Sequence, residues 1–322
     1  MTSSPNIRAC SFAIINALCI SWASAQTYPA KPVRIIVPLP AGGTTDILAR
    51  MVAQQLNAAW AQPVVIDNRG GANGNIGTEA AVKSPPDGYT LLVGSMSTHT
   101  MNQFLYTKLA YDPVNDVAPI SLLANVASVL VAHPSLPVKN VKELIALAKA
   151  RPGQLSFASG SSFYHLCGEL FRMTAKIDLV HVPYKGGSQA ITDILGGQIH
   201  LMFTGTPVTL PHIQSGKLKV LGVTNSKRAA VLPDVSTIGE TLPGYEFNNW
   251  FGIMAPAGTP RPVIDRINAE VVRILALPEI REKFTVLGME PTPSTAERFA
   301  AVIRSDAEKS GRIIKAAGVR AD

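Results

Sequence analysis

The sequence is short of the side chains that metal enzymes, disulfide scaffolds and nucleic-acid binders depend on. Its three cysteines are Cys10, Cys19 and Cys167. Two of them fall in an N-terminal stretch laid out like a secretory signal. Residues 9–20 are mostly apolar, Arg8 precedes them, and Ala23, Ser24 and Ala25 give a small-residue cleavage site before Gln26. The apolar run is far shorter than the roughly 20 residues that a membrane-spanning helix needs. Residues 1–25 are therefore expected to be a cleaved signal peptide, with the mature protein in the periplasm. A lipoprotein anchor on Cys19 is disfavoured because Leu18 stands where a small residue is required. With Cys10 and Cys19 removed, the mature chain keeps Cys167 alone, so an internal disulfide is excluded even in an oxidising compartment. Cys167 reads as a small buried apolar residue.

Other absences narrow the function further. The six histidines are scattered, with no H-E-x-x-H and no paired metal-ligand spacing, so neither a metal nor another cofactor is expected. Only 16% of residues are charged and 6% aromatic. No basic stripe interleaves with aromatics, which argues against nucleic-acid binding. The formal net charge of +7 becomes +6 once Arg8 leaves, with the positives dispersed. Gly94-Ser95-Met96-Ser97-Thr98 lacks the final glycine of a nucleophile elbow. The glycine-rich stretch 68–77 has Ala72 where G-x-G-x-x-G needs its second glycine, and no Lys-Ser or Lys-Thr follows to make a P-loop. Arg69 there is as well explained by pairing with Asp67 as by an anion. No repeat of 20–50 residues and no low-complexity tract occurs.

What is present is an alternation of apolar strands and amphipathic helices. Residues 33–37 form a short apolar run closed by Pro38. Residues 45–60 follow, with Ile47, Leu48, Met51, Val52 and Leu56 on one helical face. Strands at 63–66 and 89–93, with a short helix near 78–83 between them, complete a β-α-β-α-β unit. A second unit starts near 126–132. It continues through a helix at 141–150, opened by Asn140 and Glu143 as a near capping box, and strands at 155–158, 179–182, 199–203 and 218–223. The tail from Pro262 is helical. This rhythm predicts an α/β fold of two lobes, each a mostly parallel sheet covered by helices. About 297 mature residues suffice for two such cores.

In open parallel sheets, ligands sit beyond the carboxyl ends of strands, against helix N-termini. The loop Ala41-Gly42-Gly43-Thr44-Thr45-Asp46 joins the first strand to the first long helix. Its glycines let backbone N–H groups approach a ligand, and the helix end adds unpaired donors and partial positive charge. Thr44 or Thr45 as a simple helix cap is the alternative. Ser159-Gly160-Ser161-Ser162-Phe163-Tyr164-His165 repeats the arrangement in the second unit, and Tyr184-Lys185-Gly186-Gly187 repeats it again. Ser95 and Thr98 close the third strand, and Thr204 closes a strand of the second unit. Together these loops describe a cleft between two lobes suited to a small carboxylate.

The chain resembles the Bug-type periplasmic receptors of tripartite tricarboxylate transporters. The matching motifs run over nearly the whole mature sequence: Tyr-Pro-Ala-Lys-Pro-Val-Arg at 28–34, Pro-x-Gly-Gly-x-Thr-Asp at 40–46, Asn-Arg-x-Gly-Ala-x-Gly-Asn-Ile-Gly at 68–77, Pro-Asp-Gly-Tyr-Thr-Leu-Leu at 86–92, His-Val-Pro-Tyr-Lys-Gly at 181–186, Leu-Pro-His-Ile at 210–213 and Ala-Pro-Ala-Gly-Thr-Pro at 255–260. The resemblance implies a type II periplasmic-binding-protein fold whose chain crosses twice between lobes. We expect domain 1 at 26–125 plus 251–322 and domain 2 at 126–250. It also implies a ligand carboxylate held by backbone N–H groups and water from the loops at 40–46 and near 159–165, delivery to integral membrane transporter subunits, and a monomeric receptor. Two departures from the family pattern lie in the second lobe. The loop at 159–164 is shortened, and Phe203-Thr204-Gly205-Thr206 replaces Phe-Asp-Asn, removing the acidic side chain that could pair with an amino group.

From these departures follows an expectation about the ligand. Phe163, Tyr164, Tyr184, Trp250 and Phe251 can form an aromatic wall, with Thr204 and Thr206 donating to a second carboxylate, so that an aromatic or dicarboxylic acid binds. The competing explanation is that Phe163 and Tyr164 simply pack the start of their helix. The competing functions are a secreted α/β hydrolase or lyase, and a receptor serving as a sensor partner.

Overall fold

The structure, a computed structural model, describes residues 28–320. The expected signal peptide lies outside them. The chain begins with β1 (Val33–Val37), α1 (Thr44–Trp60), β2 (Val64–Asn68), α2 (Asn75–Val82) and β3 (Thr90–Ser95). A π-helical turn at Ser97–Met101 and the short α3 (Asn102–Leu105) lead into β4 (Val117–Val126). The second unit holds β5 (Ser128–Ala132), α4 (Val141–Ala150), β6 (Ser156–Ser159), α5 (Ser162–Ala175) and β7 (Val180–Pro183). It continues with α6 (Gly187–Leu195), β8 (Leu201–Gly205), α7 (Thr206–Gln214) and β9 (Lys219–Val223). The chain then returns through β10 (Asn249–Pro256) to α8 (Arg261–Ala276), α9 (Pro278–Val286), β11 (Met289–Pro291) and α10 (Ala296–Ala317).

Both sheets follow one plan. The first has the order β11-β4-β10-β3-β1-β2 and the second β7-β6-β8-β5-β9. In each, three parallel strands joined by helices are followed by one antiparallel strand that has just arrived from the other lobe. That strand is β10 in the first sheet and β5 in the second. The first crossover is the single residue between β4 and β5, and the second leaves the second core at Phe247 to enter β10 at Asn249. Ala127, between β4 and β5, donates its N–H to Gly288 O and accepts from Thr206 N–H, both at 2.9 Å. Thr224, just past β9, donates to Ser128 O at 2.8 Å and accepts from Phe247 N–H at 2.9 Å.

β4, like β10, is an element the sequence reading passed over. Pro119 in its middle argues against an interior strand, yet Pro119 sits opposite Met254 beside a register shift that absorbs the missing donor. The first core is built from β-branched strand residues and the buried stripe of α1, Leu48, Val52 and Leu56, closed by Ile264, Ile267, Val271 and Ile274 of α8. The second core centres on Phe157, Phe163, Phe171 and Phe203. Met101, Leu105 and Ile314 belong to the second core although their segments flank the first sheet, so the region after β3 and the end of α10 brace one lobe against the other.

Candidate ligand-binding cleft

The loop leading into α1 is held by its own aspartate. Gly42, at φ +80°, takes a backbone conformation that glycine adopts without strain. Its N–H donates to Asp46 Oδ2 at 2.9 Å. Arg50 Nε donates to the same oxygen at 2.9 Å, and Asn68 Nδ2 bridges Asp46 Oδ1 at 3.0 Å and Leu39 O at 3.1 Å. Burial alone would raise the Asp46 carboxyl, but the hydrogen bonds from Arg50, the Gly42 N–H and Asn68 hold it below the usual carboxylate range. Asp46 thus organises the loop and does not face the cleft. Gly43 occupies the N-cap of α1 and no side chain caps it, so neither Thr44 nor Thr45 serves as the cap. The first N–H groups of α1 stay available.

Three second-lobe helices start at the same place. The N-caps of α5, α6 and α7 are Ser161, Gly186 and Gly205, none with a side-chain cap. They differ in what remains free. The first N–H of α7 is spent on Ala127 O, and Pro207 has none. In α5 the Phe163 N–H donates to Ser97 Oγ at 3.1 Å.

Between these ends lies a cavity of about 30 Å³, room for roughly two waters. Gly43, Thr44, Thr45, Ser95 and Ser97 line it from the first lobe with Leu39 and Pro40. Gly160, Ser161, Tyr164, Gly186, Gly187, Thr204 and Val208 line it from the second, and Asn249 and Phe251 of β10 form its floor. The lobes are in contact around it. A Cβ on Gly205 would come within 2.6 Å of Thr44 Oγ1 and 2.9 Å of Tyr164 Oη, and one on Gly186 within 2.9 Å of Pro40 Cδ. Tyr164 Oη accepts from Asn249 Nδ2 at 3.2 Å. Burial raises its phenol, so it stays protonated and can donate.

Of the residues singled out from the sequence, Gly43, Thr44, Thr45, Ser95, Gly160, Ser161 and Thr204 meet at the cavity. Ala41 and Gly42 are exposed at the rim. Thr98 Oγ1 bonds Ser95 N–H and His99 Nδ1, the latter at 2.8 Å. Ser159 Oγ pairs with His181 Nε2 at 2.8 Å, and Ser162 Oγ donates to Asn102 Oδ1 at 2.7 Å. His165 stacks on His181 with centroids 3.8 Å apart and lies 3.7 Å from Glu169. Tyr184 donates to Asp193 at 2.6 Å, away from the cleft.

The expected aromatic wall does not assemble. Phe163 is 1% exposed in the second core, edge-on to Phe247. Consecutive helical residues point about 100° apart, so Tyr164 can face the cleft only if Phe163 turns into the core. Trp250 packs on Phe299 and donates to Asp306 at 2.9 Å, and Thr206 Oγ1 donates to Leu287 O at 2.8 Å. Phe251, expected in that wall, does line the cavity, whereas Asn249 went unread as a contact because β10 was not recognised as a strand. The pair Asn248-Asn249 heading an apolar run was the available signal.

A hydrolase constellation is not formed here. Among the described residues, neither the Ser95 nor the Ser97 hydroxyl has a histidine bonded to it. His99 is buried behind β3 against Gly94, and desolvation lowers its imidazole to about 4. Among the described residues, no group of three or more His, Cys, Asp or Glu could hold a metal ion, and no helix is long and apolar enough to cross a membrane.

Comparison with known proteins decides the family. Residues 48–319 match the tripartite tricarboxylate transporter family receptor. The chain belongs to this family. It is 36% identical to protein BugT of Bordetella pertussis over 301 residues, 92% of each chain. Its fold superposes on R. palustris Rpa4515 with adipate at a TM-score of 0.89, with 34% identity and coverage of 91% of this chain and 99% of that one. MatC of Rhodopseudomonas palustris with bound malate gives 0.85 and 30%, covering 89% and 100%. The cleft between two α/β lobes is accordingly that of a solute-binding receptor.

Proposed function

We propose that this protein is exported to the periplasm, captures a small carboxylate between its lobes and delivers it to the membrane subunits of a tripartite tricarboxylate transporter. The observation that carries this is the convergence of uncapped helix ends from both lobes on one hydroxyl-lined cavity. Each helix end favours an anion by about 0.3–1 kcal/mol, more when water is excluded. Relatives solved with adipate and malate support the ligand class. A cavity of about 30 Å³ means that the lobes part to admit ligand, with the crossovers at Ala127 and between Phe247 and Asn249 as the hinge. The division into domain 1 (26–125 plus 251–322) and domain 2 (126–250) remains our working assignment, as does a monomer that turns nothing over.

A thermal-shift screen of mono-, di- and tricarboxylates tests the reading, since a ligand bound only by the native state raises the melting temperature with concentration. At least one acid should give a saturable shift and be recovered unchanged. No shift with any of them, or consumption of the bound acid, overturns it. Scattering curves should contract on saturation, and Edman sequencing of the exported chain should begin at Gln26.

A further inference from the structure

The first crossover is tied into a knot that holds both lobes. Ala127 donates its N–H to Gly288 O and accepts from the Thr206 N–H, both at 2.9 Å. The Thr206 hydroxyl adds a bond of its own, to Leu287 O at 2.8 Å, with Gly288 O at 3.4 Å. Leu287 and Gly288 form the turn between α9 and β11 of the first lobe, whereas Thr206 opens α7 of the second. Thr206 is fully buried, so its hydroxyl cannot exchange this carbonyl for water. The packing is as close as the bonding. Gly288 stands at φ +72°, and a Cβ there would collide with Thr206 Oγ1 and come within 2.9 Å of Val231 Cγ2.

The knot also lies between two separate spaces. Thr206 follows Thr204, which lines the ligand cavity, and Gly205, which lies against Thr44 of the first lobe. Ala127 and Gly288 line a second cavity of about 570 Å³, together with residues 225–230 of the second lobe and β11 of the first. The two cavities share no lining residue. The contacts on the cleft side, Thr44 to Gly205 and Pro40 to Gly186, have to part when ligand enters. The knot joins main chain to main chain at the single residue where the chain crosses. Atoms next to a rotation axis move least, so these bonds can last while the lobes tilt.

Resting on the receptor reading above, we infer that Thr206 is a positioning residue for lobe closure. Its hydroxyl fastens α7 to the α9–β11 turn and keeps the crossover as a fixed fulcrum. Tilting then carries Thr204 and Gly205 along one path onto Thr44 and the start of α1. Thr206 itself lines no part of the ligand cavity. Without the hydroxyl, α7 and the turn can slip past each other, the closed lobes register less well, and ligand is held more weakly. Loss of one such hydrogen bond corresponds to roughly two- to tenfold in the closing equilibrium.

Amide hydrogen exchange on the ligand-free Thr206→Val variant, read beside calorimetry with malate and adipate, tests this. The substitution keeps the shape and the N–H and removes the hydroxyl. The amides of Ala127 and residue 206 should exchange about fivefold faster, while the core amides of β1 and β6 keep their wild-type protection. Affinity for whichever of the two acids the wild type binds should fall about fivefold, through faster dissociation. Thr206→Ser should restore both exchange and affinity. A rise in exchange shared equally by β1 and β6 would mean that the hydroxyl serves global stability alone, and would overturn the inference. Unchanged exchange at Ala127, or unchanged affinity, would overturn it as well. If the wild type binds neither acid, and no acid shifts its melting temperature, the receptor reading fails, and the exchange comparison still decides the fulcrum.

Discussion

The two loops that lead into α1 and α5 make the same kind of structure by different means. Each joins a parallel strand to a helix whose N-cap has no side-chain cap. The first is locked within its own lobe by Asp46, which gathers Gly42, Arg50 and Asn68. The second is anchored on the segment after β3: Ser162 bonds Asn102, the Phe163 N–H bonds Ser97, and Tyr164 meets Asn249 of β10. A loop held locally keeps its shape whether the cleft is open or closed. One held by the opposing segments takes its final shape only when they are in place. The first lobe therefore offers a fixed anion anchor and the second a reading surface completed on closure.

The sharpest test of the second loop separates its two aromatics. Phe163→Ala should cost about 3–5 kcal/mol of stability by opening a cavity in the second core, while Tyr164→Phe should change stability little and reduce affinity about tenfold. Denaturant unfolding and calorimetry on both variants check the pair, and an equal effect of both on affinity would return Phe163 to the cleft. In the first loop, Asp46→Ala strands the Gly42 N–H, Asn68 and Arg50 together. A stability loss of about 2–3 kcal/mol is expected, and affinity should fall with it because the anchor loosens. If Asp46→Ala leaves the unfolding midpoint in place, the loop is not held as described.

Each lobe also carries a neutral histidine behind its loop. Burial lowers both His99 and His181 to about 4, the latter with help from His165 stacked on it, while Glu169 across the cluster works in the opposite direction. The unfolded chain takes up a proton at each near the ordinary value of 6.5, and the folded chain does not. Stability is thus full above 6.5 and falls as pH drops towards 4. Melting temperatures between pH 5 and 6.5, above the carboxylate range, read this directly, and His181→Asn should flatten part of the slope. The smallest effect belongs to a helix away from the cleft. The Asn140 side chain accepts from Glu143 N–H at 2.9 Å and caps α4, so Asn140→Ala should cost about 1 kcal/mol with affinity unchanged. A loss of affinity there would mean that α4 is coupled to the site.

Much of this was legible in the chain itself. The apolar run closed by Pro38 gave β1, and helical periodicity gave α1, α4 and the start of α8 to within a residue or two, because those helices bury one face against a core within their own lobe. The glycine-hydroxyl loops pointed to Thr44, Thr45, Gly160 and Ser161, because a glycine-rich turn between strand and helix exposes backbone donors wherever the rest of the chain lies. β4 escaped, since the bulge that tolerates Pro119 is made by β10, more than a hundred residues away. The same distance hid Asn249 from the list of contacts.

The sequence by itself determined the two α/β units and the glycine- and hydroxyl-rich loops that lead from strand to helix. These follow from local pattern and residue type. Only the tertiary structure decided which of two neighbouring aromatics lines the cavity, that Asp46 gathers Gly42, Arg50 and Asn68, and that Trp250 packs on α10. Each of those depends on which surface packs against a side chain, and packing partners here lie in the other lobe or at the far end of the chain.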